Sequence, residues 1–245
     1  NIKSNLPGIF MALSMAPVAL PADASTADTL FMSDGIIKME LRSDFSAIQE
    51  ERTGTQLYHD GELTYRSKGS TPVKIQVRVM ARGNFRLNPI NCSFPPLLLD
   101  FRKTDVGNSL FENQDKLKLV TPCQTEEDVI DEYTIYKMYN QVTEKSLKVR
   151  MVRISYFDEK TNKKLFEKYS FFLENKVHAA ERNNAVIKKD TVRHYDLNRE
   201  GYLKLALFQY IIGNMDWHVA LGKNIEVIKQ KDSSGELFAV PYDFD

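Results

Sequence analysis

The chain has 245 residues, 42% of them apolar, and its 33 basic and 33 acidic side chains cancel. That is enough apolar material for a sizeable core, in one large domain or in two lobes. The charges are spread evenly with no basic face, which excludes the electrostatic footprint of a nucleic-acid partner.

Residues 1–24 set Lys3 ahead of an apolar run of about fifteen residues, broken by Pro7 and Pro17 and followed by Ala22-x-Ala24. A basic start, an apolar centre and small residues at the end read as an export signal cleaved after Ala24. The run falls short of the roughly 20 residues of a membrane span, and no other segment is apolar enough to span. The expectation is an exported bacterial protein with no stable span after cleavage. Cys92 and Cys123 are the only two cysteines. In an exported protein such a pair reads as a disulfide, and in a cytosolic one as two buried thiols.

Residues 35–44 alternate apolar and polar, as a half-buried strand does. "FSAIQEER" then reads as a short helix capped by Asp44. In residues 73–83 the alternation places Val73, Ile75, Val77 and Val79 on one face. "PINCSFPP" is loop because its prolines cannot serve a central ladder, and "LLLDF" and "KLKLV" continue as strands. Residues 126–145 change period and open with acidic residues, which suit the positive end of a helix. Val129, Tyr133, Tyr136, Met138 and Val142 form its expected buried stripe. Residues 147–157 and 168–174 return to strand around the turn-like "DEKTNKK". Residues 175–198 read as loop with a short helix, residues 199–214 as a strong apolar helix, and "NIEVIKQ" and "ELFAVPYD" as a closing hairpin. The expected fold class is α+β.

The chemistry concentrates at the end. "GNMDWHVALGKN" leaves the apolar helix with Asp216 and His218, and Asn224 stands at the entry to the next strand. Asp243 follows the hairpin in "VPYDFD", with Asp245 two residues on. Phosphoryl transfer needs a carboxylate to orient or deprotonate the acceptor, oxygen ligands for Mg²⁺, and a basic group on the phosphates. In this order Asp216 suits a base, Asn224 and Asp243 suit metal ligands with Asp245 assisting, and His218 suits orientation of the loop or the phosphates. Lys118 lies on a strand just before the helix carrying Glu132, the arrangement of a nucleotide lysine fixed by a helix glutamate. Lys116 shares its face, and Arg82 is a third candidate for the phosphates. Glu174 falls at the end of the "KYSFFLE" strand.

These closing motifs, with "RGNFR" at residues 82–86, resemble atypical kinases of the spore-coat CotH type and, more distantly, HipA-like kinases. The resemblance implies a two-lobed kinase-like fold, with Glu174 on a linker between lobes whose backbone meets an adenine edge. Residues 25–175 would form a β-rich N-lobe with the long helix at about 126–145. Residues 176–245 would begin a helical C-lobe whose further helices lie past the end of the chain. It also implies ATP with Mg²⁺ or Mn²⁺ as cofactors and phosphorylation of a hydroxyl on an unknown protein. The chain departs from the kinase pattern in two respects: eight residues separate Asp216 from Asn224 where five are usual, and no G-x-G-x-x-G loop is present. That missing loop, and the scarcity of ATP outside the cytoplasm, supply an alternative: a non-catalytic envelope or scaffold protein that keeps the fold.

Overall fold

A computed structural model describes residues 29–66, 71–101 and 106–244. The expected export signal and Asp245 therefore lie outside the described residues.

The fold is α+β. In chain order it contains β1 (Ile37–Ser43), α1 (Phe45–Glu51), β2 (His59–Tyr65), β3 (Val73–Ala81), β4 (Leu97–Phe101), β5 (Lys116–Val120), α2 (Glu127–Val142), β6 (Val149–Asp158) and β7 (Lys163–Leu173). These are followed by α3 (Lys176–Arg182), β8 (Ala185–Ile187), α4 (Arg199–Ile211), β9 (Ile225–Gln230) and β10 (Leu237–Pro241). The first seven strands close into a barrel of order β1-β2-β3-β4-β5-β7-β6, and the last three form a separate sheet of order β10-β9-β8. Every neighbouring pair in the barrel is antiparallel except β1 with β6, which run parallel and seal it from Ile37 opposite Val152 to Ser43 opposite Asp158.

Alternation builds the barrel. Ile75, Val77, Val79 and Ala81 of β3 are buried, and so are Leu97 and Leu99 of β4 and Leu117 and Leu119 of β5. They share one core with Phe45 and Ile48 of α1. Asp44 caps that helix by accepting the Ala47 N–H at 2.9 Å, satisfying one of its unpaired first-turn donors. Strands β6 and β7 depart from period two. Val149–Val152 and Ser170–Leu173 are buried at every position, because α2 covers the barrel wall there. Val152, Ile154 and Phe172 face the barrel interior, while Val149, Met151, Phe171 and Leu173 join a second core under α2.

The buried side of α2 is Val129, Glu132, Tyr136 and Tyr139. Met138 and Val142, expected in the stripe, are exposed. A 3.6-residue period starting from Val129 runs through positions 132 and 136 to 139, which leaves 138 and 142 on the far flank. The second core also takes in Leu205 and Phe208 of α4 with Ile225, Val227, Val240 and Phe244 around the hairpin. The segment expected as loop with a short helix holds α3 and also the short strand β8, which pairs Ala185–Ile187 with Gln230–Ile228. Three residues give too little alternation to be read from sequence.

Cys92 and Cys123 form a disulfide across a separation of 31 residues. It fastens the β3–β4 loop to the β5–α2 junction, and Ser93 adds two bonds to the Cys123 carbonyl, from its N–H at 3.3 Å and its hydroxyl at 3.1 Å. Among the described residues no helix is long and apolar enough to cross a membrane. Closing a loop of that length removes unfolded-state entropy worth about 3–4 kcal/mol. The double variant Cys92→Ser, Cys123→Ser should lose about that much in denaturant unfolding, and an unchanged midpoint would show that the bridge constrains nothing.

Candidate functional site

Strand alternation puts Leu117 and Leu119 into the barrel, so Lys118 projects from its outer wall. In that position its neighbours come from the C-terminal hairpin and from α3. The Lys118 ammonium stands 5.6 Å from the Tyr242 ring centroid, and Lys176 stands 3.5 Å from the same ring. Lys176 also pairs with Glu226 of β9 at 2.9 Å. These groups open onto a cleft of about 380 Å³ whose walls include Leu98, Leu173, Val177 and Ile187, and Lys116 lies on the same cleft.

Burial pushes the Lys118 ammonium down to a pKa of about 8; the nearby charges of Arg82 and Lys176 push the same way, while Asp243 and Glu226 oppose them. Arg82 directly follows β3, where its N–H donates to the Pro96 carbonyl at 2.9 Å. Burial lowers its guanidinium pKa too, against the opposing pull of Asp243, Glu132 and Tyr136. Arg82, on a barrel loop, and Asp243, at the hairpin end, thus both act on Lys118, on a barrel strand.

Glu132 is 4% exposed and meets Arg86 at 3.6 Å. The helix glutamate therefore engages the "RGNFR" loop, which also carries Arg82. Gly83 sits at φ 109° with nothing near its absent Cβ, so this turn requires backbone freedom and not space. Glu174 closes β7 and lines the cleft. Its carboxylate takes a two-pronged grip from Arg182, both contacts at 2.9 Å, and accepts the Lys148 N–H at 2.8 Å. Its own N–H donates to the Lys148 carbonyl at 2.9 Å. The backbone N–H is thus engaged within the fold, and the side chain braces the β7–α3 turn.

The loop after α4 is built by short-range bonds. Gly213 at φ 70° ends the helix in the left-handed conformation. Asn214 Oδ1 then accepts the Asp216 N–H at 2.8 Å. His218 and Lys223 exchange backbone bonds of 2.9 and 3.0 Å, pinching off a turn completed by Gly222 at φ 61°. His218 Nδ1 accepts the Leu221 N–H at 3.2 Å, which assigns that ring nitrogen to holding the turn. Asp216 is exposed, with Lys223 paired to its Oδ1. Asn224 Nδ2 donates to the Asp216 carbonyl at 2.8 Å and to its Oδ2 at 3.2 Å. The eight-residue spacing is thus accommodated by the pinched turn, which returns Asn224 to Asp216.

Asn224 and Asp243 both occupy positive φ, 52° and 64°, which costs a non-glycine residue roughly 1–2 kcal/mol. They are coupled through Tyr242, whose N–H donates to the Asn224 carbonyl at 3.0 Å. The next residue, Asp243, gives its N–H to the Tyr136 hydroxyl at 2.9 Å. The structure therefore forms two groups: Asp216, His218, Lys223 and Asn224 on one loop, and Lys118 at the cleft with Arg82 and Asp243 within its electrostatic reach. Sequence reading missed Lys223, Lys176, Glu226 and the tyrosines at 136 and 242. Only Lys223 was signalled, as the neighbour of Asn224 in "GKN".

The donor set can be tested against magnesium. Among the described residues no three of His, Cys, Asp and Glu cluster as a metal cage. Mg²⁺ needs no such cage, because it binds through one or two protein oxygens and completes its shell with phosphates and water. Asn224 commits its Nδ2 to Asp216 and keeps Oδ1 as an acceptor, and Asp243 is an exposed carboxylate beside two cations. These donors fit Mg²⁺ held together with a polyphosphate. No protein-family model matches the chain, and no curated protein matches it.

The lowered lysine has a consequence in solution. Below about pH 8 the folded protein carries a charged Lys118 that its surroundings disfavour, and this penalty is relieved as pH rises from about 8 toward the ordinary 10.5. Lys118 should therefore acylate with an amine-selective reagent at a midpoint near pH 8, ahead of the exposed lysines. Mass spectrometry across neutral to alkaline pH reads this directly, and a midpoint shared with the exposed lysines would contradict it.

Proposed function

We propose that the protein is an atypical kinase, resembling the CotH type, that binds Mg-ATP at the Lys118 cleft and phosphorylates a hydroxyl on another protein. The observation that supports this reading is that Lys118, on the cleft, lies within the electrostatic reach of both Arg82 and Asp243, three charged groups from separate elements. Two cations and one carboxylate from separate elements suit a ligand that brings both negative charge and a bound cation.

In this reading Lys118 and Arg82 bind the phosphates and the apolar cleft walls take the base. Asn224 Oδ1 and the Asp243 carboxylate would hold the magnesium ion, which when bound supplies charge neutralisation on the phosphates. Asp216 orients the acceptor hydroxyl and takes its proton. The hydroxyl oxygen bonds to the terminal phosphorus as the bond to the β–γ bridging oxygen breaks, and that electron pair leaves with the diphosphate. His218 keeps the loop in shape. The Cys92–Cys123 disulfide favours a location outside the reducing cytoplasm.

Calorimetry with ATP, with and without Mg²⁺, tests the reading. The wild type should bind in a Mg²⁺-dependent manner, Asp243→Ala should abolish that binding, and Asp216→Asn should cut phosphotransfer roughly 10²–10⁴-fold. Failure of the wild type to bind would favour the non-catalytic scaffold.

A further inference from the structure

Each oxygen of the Asp216 carboxylate carries a donor: Lys223 on Oδ1 and the Asn224 amide on Oδ2 at 3.2 Å. The two donors differ in how firmly they are held. Asn224 also bonds the Asp216 carbonyl at 2.8 Å and sits at φ 52°, so its side chain belongs to the loop's frame. Lys223 has a fixed backbone, bridged both ways to His218, but its side chain is 54% exposed. An ion pair this exposed is weak and readily exchanged.

We propose that Lys223 trades Asp216 for the terminal phosphoryl group of a bound nucleoside triphosphate, unmasking the carboxylate only when that group is present. The proposal rests on the nucleotide reading above. Its geometry follows from the reaction itself. The acceptor oxygen must lie within hydrogen-bonding reach of Asp216 and about 3–3.5 Å from the terminal phosphorus at once. The phosphoryl oxygens then fall within roughly 6 Å of the carboxylate, a span that the flexible four-carbon stem of a lysine crosses by rotation alone. A terminal phosphoryl group carries more negative charge than a carboxylate, so the ammonium favours it when both are in reach. A diphosphate lacks the third phosphoryl group at that position, and in its presence Lys223 stays on Asp216. Lys223 thus becomes the residue that distinguishes triphosphate from diphosphate, and it keeps the base covered while no donor is loaded.

Calorimetry in Mg²⁺ with ATP and with ADP, on the wild type, Lys223→Met, Lys223→Arg and Asp216→Asn, tests this. Lys223→Met should lower ATP affinity about tenfold or more and leave ADP affinity as in the wild type, and Lys223→Arg should keep most of the preference for ATP. Asp216→Asn should raise ATP affinity a few-fold, because it removes the lysine's competing partner; a lysine that only braces the loop has no such effect. An ATP-to-ADP ratio common to all four proteins, or a fall in ATP affinity in Asp216→Asn, would overturn the proposal while leaving the nucleotide reading intact. A wild type that binds neither nucleotide would overturn both.

Discussion

The candidate site depends on the seam where α2 lies across the barrel wall. Tyr136 is the joint in that seam. Its ring packs edge-on to Phe171 of β7 at 5.8 Å and to Phe244 at 4.7 Å, and its hydroxyl accepts the Asp243 N–H. A carboxylate at the end of a hairpin would ordinarily be free to wander. Here the residue after it is buried among Tyr136, Tyr139 and Phe208, so Asp243 takes its place from core packing. Phe208 belongs to α4, and the same contacts therefore set the start of the Asp216 loop. Aromatic pairs of this kind contribute beyond their buried area, and here they join α2, β7, α4 and the end of the hairpin.

A second device fixes the cationic side. Arg52, at the end of α1, is 2% exposed and gives its guanidinium to the carbonyls of Arg86 at 2.8 Å, Cys92 at 2.7 Å and Ser93 at 3.3 Å. A buried charge is tolerable only when hydrogen-bonded, and here three carbonyls of one loop supply the partners. The disulfide holds that loop from its other side. Arg82 and Arg86 are therefore presented to Asp243 and Glu132 by a loop clamped at both ends.

Much of this was legible in the chain. Strict alternation announced β1, β3, β4 and β5, and acidic residues announced the start of α2. Asp216, Asn224 and Asp243 stood out because polar residues at helix and strand ends are conspicuous against apolar runs. Closure of the barrel was not legible, since the parallel pairing of β1 with β6 joins positions more than a hundred apart and leaves no local signature. The buried side of α2 was misread because its helical period was anchored on Met138 and Val142, which packing leaves exposed. Lys176, Glu226 and Tyr242 were invisible for a different reason. Each is ordinary in its own segment and gains meaning only where α3, β9 and the hairpin end meet Lys118.

Backbone and charge at the cleft point in the same direction. Among the described residues six non-glycine positions have positive φ, and five are asparagine, whose short amide tolerates that conformation in turns. Asp243 is the exception. It is a carboxylate at positive φ between Tyr242 and Phe244, within the electrostatic reach of Arg82 and Lys118. Lys118 has a pKa of about 8 chiefly because it is buried, and the charges of Arg82 and Lys176 beside it add to that shift. A cluster whose members resist protonation is relieved by a polyanion, and by linkage such an anion must raise the proton affinity of Lys118 as much as the proton raises the affinity for the anion. The disfavoured charge of Lys118 is thus offset by packing elsewhere in the fold.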